Sequence, residues 1–314
     1  MNYQRELISV IIPVYDTGSY LRRCLSSLSS QTYDDLEIII IDDGSKDELT
    51  LSILAEYASK DKRIHVIHKE NGGCSRAYNA GLDLAGGEYV MIVDSDDYLD
   101  KDAIEVLYQA MKEDDVDLVG ASYYLDFDHF RFYRSKIKKE GIYTKPKTLH
   151  GLCHNTGINN YAWAKLYKAE LLKDIRFPID HDNFSDMEFS ALVFLKAEKV
   201  KILKRRLYHY YQRKASMTGL MSYKTAHDMF MKFKRQEDLL NKEYPEEHFS
   251  NYTNYYRSEM MILLAYLSAD DVAKEDVYLP VYDDSRVWLL FKFFRAILSK
   301  IVAIKYHLKK IERR

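Results

Sequence analysis

Apolar residues along the chain fall into short blocks separated by polar, turn-forming clusters, and the blocks alternate between two periods. Leu7–Val14 (LISVIIPV) is a continuous run rich in β-branched residues, the pattern of a strand covered on both faces. Between Ser19 and Gln31, Tyr20, Leu21, Cys24, Leu25 and Leu28 share one helical face. Leu36–Ile41 repeats the strand pattern and stops at Asp42-Asp43-Gly44-Ser45. A helix is predicted from about Asp47 to Lys60 and a strand over Ile64–His68. Gly72-Gly73 precedes a helix over Ser75–Ala85, and Gly86-Gly87 introduces a strand over Tyr89–Val93. A helix over Ala103–Lys112 and a fifth strand over Leu118–Tyr124 continue the series. Alternation at this spacing predicts an α/β fold with a single, mostly parallel sheet flanked by helices.

Beyond Tyr124 the regularity ends. Phe127–Gly141 mixes aromatic and basic residues and reads as a hairpin or an acceptor-facing excursion, with a solvated edge as the plainer alternative. Ser222–Ala269 has the pattern of a helical extension, and residues 276–285, with Pro280, mark a break. Past that break Leu290, Phe294, Ile297, Ile301, Ile304 and Leu308 share one helical face. Lys292, Arg295, Lys300, Lys310, Arg313 and Arg314 lie broadly opposite. The expected organisation is a main domain over 1–220, a helical extension over 221–280 and an amphipathic tail over 281–314.

Composition narrows the class. With 314 residues and 47% hydrophobic content the chain is globular, not disordered, and holds one large domain or two smaller ones. A formal net charge of −2 excludes a general nucleic-acid binder, which needs a cationic surface. That near-neutral total hides an asymmetry. From Arg286 to Arg314 nine Lys/Arg face a single acid, Glu312, so the body is acidic and the tail basic. A basic helix with one apolar face suits the interface of an anionic membrane; docking on the body or a homodimer contact is the alternative use. Cys24, Cys74 and Cys153 are odd in number and widely spaced, which points to a reducing compartment. No run of 18 apolar residues and no secretory signal are found, so the expected location is the cytoplasm, peripheral on the inner face of the cell membrane.

Open parallel sheets bind ligands at the carboxyl ends of their strands. Here those ends read Tyr15-Asp16, Asp42-Asp43 and Asp94-Ser95-Asp96-Asp97. No GxGxxG turn, Walker lysine loop, HExxH or GxSxG is present. A phosphate-bearing ligand at this rim therefore needs a counter-charge other than glycine amides. Carboxylates two residues apart suit Mg²⁺ or Mn²⁺, which keep open positions for substrate phosphates. A solvated acidic turn, with Asp96 or Asp97 capping the next helix, is the alternative for these residues taken alone.

The segments SVIIPVYDTGSYLRRCLSSLSSQTYDDLEIIIIDDGSKD and NGGCSRAYNAGLDLAGGEYVMIVDSDDYL resemble the nucleotide-sugar-binding half of glycosyltransferase family 2, inverting enzymes of the GT-A fold. The likeness is near-continuous over roughly residues 7–125 and weaker to about 220. It implies that Pro13 and Tyr15 flank a uracil ring, that Asp43 accepts the uracil N3–H, and that Asp94 lies near the ribose. It places Ser95 in the donor-binding turn and Asp96 on the metal that bridges the two phosphates. Tyr161–Tyr167 resembles the family's W-N-K-L-Y segment, which puts Trp163 and Lys165 on the acceptor side; Trp163 reads equally as a sugar platform or as core packing. Phe184–Phe189 resembles its ED…F pattern, making Asp186 the catalytic base, with Asp180, Asp182 and Glu188 as competitors. Leu207–Thr218 resembles its YxYxxRxxSxT segment, with Arg213 as a phosphate contact.

The chain departs from the family pattern at four places. Asp16 replaces Asn, Tyr78 replaces the arginine of SxARNAG, Ala164 replaces Asn and Ser185 replaces Glu. Arg76, two positions before Tyr78, is a candidate donor contact in its stead. The resemblance implies a metal-dependent transferase moving a hexose or N-acetylhexosamine from a UDP-sugar to a saccharide acceptor. That acceptor would be polyprenyl-diphosphate-linked, in bacterial surface, capsular or exopolysaccharide synthesis. A sugar nucleotidyltransferase would need a Gly-rich, Lys-containing triphosphate loop near the start of the chain, which is missing. A non-catalytic nucleotide-sugar-binding partner and a membrane module organised by the tail are the other readings. The tail expectation has a direct check: the chain co-sediments with anionic liposomes, and removal of 286–314 abolishes this. Recovery of the full chain in the supernatant contradicts it.

Overall fold

The computed structural model describes residues 6–128, 131–133, 137, 139–154, 158–179, 184–213 and 223–251, with isolated positions 254, 297, 300 and 301. The chain divides into two compact units, Met1–Arg213 and Lys214–Arg314.

The first unit opens with the predicted alternation. Strands β1 (Ile8–Val14), β2 (Leu36–Asp42) and β3 (Ile64–His68) are separated by helices α1 (Ser19–Ser29) and α2 (Glu48–Lys60). Helix α3 (Cys74–Leu84) leads to β4 (Tyr89–Ile92), and a two-residue strand β5 (Tyr98–Leu99) precedes α4 (Ala103–Asp114) and β6 (Leu118–Asp126). There follow β7 (Arg131–Tyr133), β8 (Gly141–Tyr143), α5 (Lys145–His154), β9 (Lys165–Lys168), the short α6 (Ala169–Leu172), α7 (Ser185–Lys196) and β10 (Val200–Tyr211). The second unit contributes α8 (Tyr223–Glu243).

All ten strands form one sheet with main order β3-β2-β1-β4-β9-β6-β10-β5; β7 pairs with β6 and β8 with β10. The single sheet flanked by helices stands as expected, but its parallel character is confined. Strands β3, β2, β1 and β4 run parallel, whereas β9 is antiparallel to both β4 and β6. Strand β10 runs parallel to β6, and β5, β7 and β8 join antiparallel. The alternation rule predicts parallel pairing only where a helix returns the chain to the same end of the sheet. Strand β9 enters from the loop after α5 and reverses the direction. Of the readings open for Phe127–Gly141, its described residues support a hairpin: β7 pairs antiparallel with β6, with Asp126 opposite Arg131.

β1 is buried along its whole length, as the unbroken β-branched run requires. Its residues serve two layers. Val10, Ile12 and Val14 join the core built with Leu21, Cys24, Leu25 and Leu28 of α1 and Ile104, Leu107 and Met111 of α4. On the opposite face Ile39 and Ile41 pack with Ala77 of α3. Close approach of α3 to the sheet depends on Gly81, where an added Cβ would lie 2.3 Å from Ile11 Cγ2. Because Ile11 is fully buried, Gly81→Ala overpacks this contact. The substitution is expected to cost about 1–3 kcal/mol, read as a lower urea midpoint with an unchanged slope.

Candidate active site

The acidic rim forms where the parallel strands end. Ile11 O accepts from Val93 N at 3.0 Å, and two residues later Pro13 offers no N–H to that side. The β1–β4 ladder ends there, which lets the two chains part. Tyr15 follows and is 51% exposed, a ring open to a planar ligand. Asp16 sits at φ 44°, in the left-handed region, and its Oδ1 accepts from Lys46 N at 2.7 Å and Asp47 N at 2.8 Å. That conformation and that acceptor suit Asn as well as Asp, which accounts for the first departure from the family pattern.

Asp43, at the end of β2, is 3% exposed. Its Oδ1 accepts from Gly72 N at 2.9 Å and from Lys69 Nζ, and its Oδ2 accepts from Gly73 N at 2.8 Å. It therefore fixes the turn into α3, and Oδ2 keeps capacity for one more donor. Arg76 is exposed, with Nη1 donating to Gly72 O at 3.0 Å.

The Asp94–Asp97 turn is held from several sides. Tyr78 OH donates to Asp94 Oδ1, and Asp94 N donates to Tyr208 OH at 3.1 Å. Thr17 Oγ1 and Ser95 Oγ lie 2.9 Å apart. Asp96 Oδ2 is 2.7 Å from Arg213 Nε, and Arg23 Nη2 donates to Asp96 O at 3.2 Å. Asp97 is fully buried and accepts from Tyr208 OH at 2.7 Å and Tyr211 N at 2.8 Å. Asp97 thus ties the turn to β10, and the cap position of α4 belongs to Asp102. Burial, and then the Asp96 charge, push the Asp94 carboxyl up to about 7. Burial also raises Asp96, against the pull of Arg213, and carries Asp97 well above the carboxylate range.

Asp186 stands half-buried in the first turn of α7, where the helix dipole favours a carboxylate. Its charge reaches Asp94 and Cys74 beside the acidic turn as well as Lys165 and Tyr167 in the core, so it stands within electrostatic range of that turn. Glu188 lies two residues on, about 200° around the helix. Asp180 and Asp182 are outside the described residues, as is nearly all of the 286–314 tail.

On the acceptor side the structure decides between the two readings of Trp163 and corrects the placement of Lys165. Trp163 is 4% exposed and stacked on both faces, by Tyr161 at 4.3 Å and Tyr208 at 4.6 Å. Neither face is left for a sugar; the indole is core packing. Lys165 is 2% exposed and donates to Asn159 Oδ1 at 2.7 Å and to Tyr161 O. It supports the loop from within and offers no ammonium to an acceptor. Ala164 adopts φ 58°, the left-handed region that Asn tolerates better, so the family's Asn here answers a backbone demand.

Several members of the site were not singled out from sequence. Arg23 lies between the rings of Tyr98 and Tyr211, at 4.4 and 4.0 Å, and no motif distinguishes it from a surface arginine of α1. Thr17, Lys69 and Tyr208 are equally inconspicuous, although Tyr208 falls in the noticed YxYxxR segment.

Among the described residues no three His, Cys, Asp or Glu side chains are arranged to hold a metal ion by themselves. The donor chemistry nevertheless fits a hard divalent cation. Burial, and then the charge of neighbouring acids, raises the carboxyls of Asp94 and Asp97, and Mg²⁺ or Mn²⁺ commonly takes one or two carboxylates plus substrate phosphates.

With this geometry in place, the comparisons with known proteins are decisive about class. The sequence profile "Glycosyl transferase family 2" matches residues 9–176, and the chain belongs to that family. It is 34% identical over 283 residues to the glycosyltransferase GlyA of Streptococcus pneumoniae, covering 87% of this chain and 40% of GlyA. It is 35% identical to the uncharacterised glycosyltransferase EpsJ of Bacillus subtilis, covering 71% of this chain and 65% of EpsJ. The chain thus spans less than two thirds of either relative's length. In fold it resembles S. aureus TarS 1–349 in complex with UDP-GlcNAc, with TM-score 0.62 and 23% identity over 82% of this chain and 71% of that one. The mannosyltransferase PcManGT of Pyrobaculum calidifontis, solved with GDP-Man and Mn²⁺, superposes with TM-score 0.56 and 15% identity over 86% of this chain and 77% of that one.

Burial lowers the Lys165 amine to about 7, against the opposing charge of Asp186, from an ordinary value of 10.5. Below about 7 the amine is protonated in both states and the fold carries a buried charge. Between about 7 and 10.5 the unfolded chain binds more protons than the folded one, so this site's contribution to stability rises with pH. Lys165→Met is expected to flatten that rise, measured as the difference in urea midpoint between variant and wild type from pH 7 to 10.

Proposed function

We propose that the chain transfers a hexose or N-acetylhexosamine from a UDP-sugar to a saccharide acceptor, with inversion, in bacterial polysaccharide synthesis. One observation carries the reading: exposed Tyr15, buried Asp43 and the Asp94–Asp97 turn with Arg213 gather at the carboxyl ends of adjacent parallel strands, within electrostatic range of Asp186. Family membership supports transferase chemistry, and TarS, a protein with this fold, forms complexes with UDP-GlcNAc and with UDP.

The uracil stacks on Tyr15 and its N3–H donates to Asp43 Oδ2, beside the bond from Gly73. Asp94 and Ser95 meet the ribose and the adjoining phosphate. Asp96 would hold the cation, which, when bound, offsets charge on the departing diphosphate. Arg213, now paired with Asp96, has a guanidinium suited to phosphate oxygens and turns to the same diphosphate. Asp186 removes the proton of the acceptor hydroxyl as that oxygen attacks the anomeric carbon from the face opposite UDP. The C–O bond to the acceptor forms as the bond to UDP breaks, and no covalent intermediate on the protein is needed. A polyprenyl-diphosphate-linked acceptor accords with the basic, one-sided tail, which would keep the enzyme at an anionic surface.

Three measurements test this. A panel of UDP-, GDP- and dTDP-sugars with Mn²⁺, scored by slow donor hydrolysis, is expected to single out a UDP-sugar. Asp96→Ala removes the metal dependence of UDP affinity, and Asp186→Asn lowers transfer by about 10²–10⁴ with little change in UDP binding. Unchanged transfer in the Asn variant places the base elsewhere.

A further inference from the structure

Tyr78 occupies the position in α3 where the family's SxARNAG segment has arginine. Its ring is 8% exposed and stacks on Phe177, with centroids 4.5 Å apart and planes 19° from parallel. Phe177 stacks in turn on Phe189 of α7, at 3.9 Å and 5°. The neighbouring Asn79 grips the backbone of Phe177 from both sides: Nδ2 donates to Phe177 O and Oδ1 accepts from Phe177 N, each at 2.8 Å. At the other end of the ring the Tyr78 hydroxyl donates to Asp94 Oδ1. Arg76 takes no part in this, since its guanidinium turns back to Gly72 O.

Tyr78 is therefore linked to the acidic rim directly and, through Phe177, to the helix that begins with Ser185-Asp186. We propose that Tyr78 is a positioning residue for the transfer reaction. Its hydroxyl fixes the rotamer of Asp94 for the donor, and its ring keys that rotamer, through Phe177, to the helix bearing the base. The inference rests on the donor-site reading above. The chemistry of the substitution is specific. A guanidinium here would set a permanent positive charge beside Asp94, whereas a phenol holds the carboxyl by a hydrogen bond and adds no charge of its own. Phenol ionisation does not compete, because burial carries the Tyr78 hydroxyl well above its ordinary value. The rim thus keeps its demand for a cation arriving with the donor.

The test is a cycle of Tyr78→Phe, Asp94→Asn and the double variant in the full chain, with UDP and Mn²⁺ as the probe. Calorimetry gives the Kd, donor hydrolysis gives KM and kcat, and thermal melting monitors the fold. Tyr78→Phe retains the ring and its stack. It is expected to raise the UDP Kd about tenfold, the scale of one hydrogen bond to a charged group, with a larger effect on KM than on kcat. In the Asp94→Asn background the same substitution changes Kd by no more than about twofold. Tyr78→Arg, whose guanidinium can stack on Phe177 and donate to Asp94, holds UDP more tightly than Tyr78→Leu, and this pair decides the matter if the Phe variant does not fold. A Phe variant that melts lower yet binds UDP as wild type does, or effects that add fully across the cycle, overturn the proposal. Impaired binding in Asp94→Asn beside intact binding in Tyr78→Phe removes Tyr78 alone. Failure of wild type to bind UDP removes the donor reading and this inference with it.

Discussion

Concentrating carboxylates at one end of a sheet sets the terms for everything around them. Asp94, Asp96 and Asp97 are withdrawn from water at a single turn, where burial raises all three carboxyls and the Asp96 charge adds to the rise of both Asp94 and Asp97. The fold tolerates this by surrounding the turn with donors. Tyr78 and Tyr208 supply hydroxyls, Tyr211 a backbone amide, and Arg23 and Arg213 guanidinium groups. These partners come from α1, α3 and the end of β10, so the turn is also where distant parts of the first unit are fastened together. Its residual negative charge is the property that a nucleoside diphosphate with its cation can satisfy.

Aromatic stacking carries the geometry outward from that turn. Tyr208, which donates to Asp97, stacks on Trp163, which stacks on Tyr161. Tyr78, which donates to Asp94, stacks on Phe177, which stacks on Phe189. Two ring columns thus run from the acids toward the segments that follow β6. Flat, close-packed rings have few alternative rotamers, so they transmit position with little slack. Ser190 Oγ adds a bond to Asn160 O at 2.8 Å, joining α7 to the loop that contains Trp163.

A second buried network lies nearby and serves the sheet. His209, 3% exposed, lies between Asp100 at 2.9 Å and Asp126 at 3.0 Å, with its ring between those of Tyr98 and Tyr124. Arg131 reaches the same Asp126 at 2.6 Å. Through these contacts β5, β6, β7 and β10 are locked side by side, and β10 carries Tyr208 and Tyr211 to the acidic turn at a fixed register.

Local sequence determined the first half of the molecule. Unbroken β-branched runs can only be strands covered on both faces, and the glycine pairs and acidic turns mark where they stop. β1 to β4, α1 to α4 and the acids at the strand ends were therefore legible, as was the family that shares them. Tertiary structure decided the rest, because the deciding contacts join residues far apart in the chain. Nothing around Lys165 announces a reversed strand beneath Tyr161, and nothing around Trp163 shows that both its faces are taken. The tyrosine at position 78 reads as a lost arginine until the fold sets its hydroxyl on Asp94 and its ring on Phe177. Periodicity reports which face of an element is apolar; what a particular side chain touches on that face is fixed only when the elements pack.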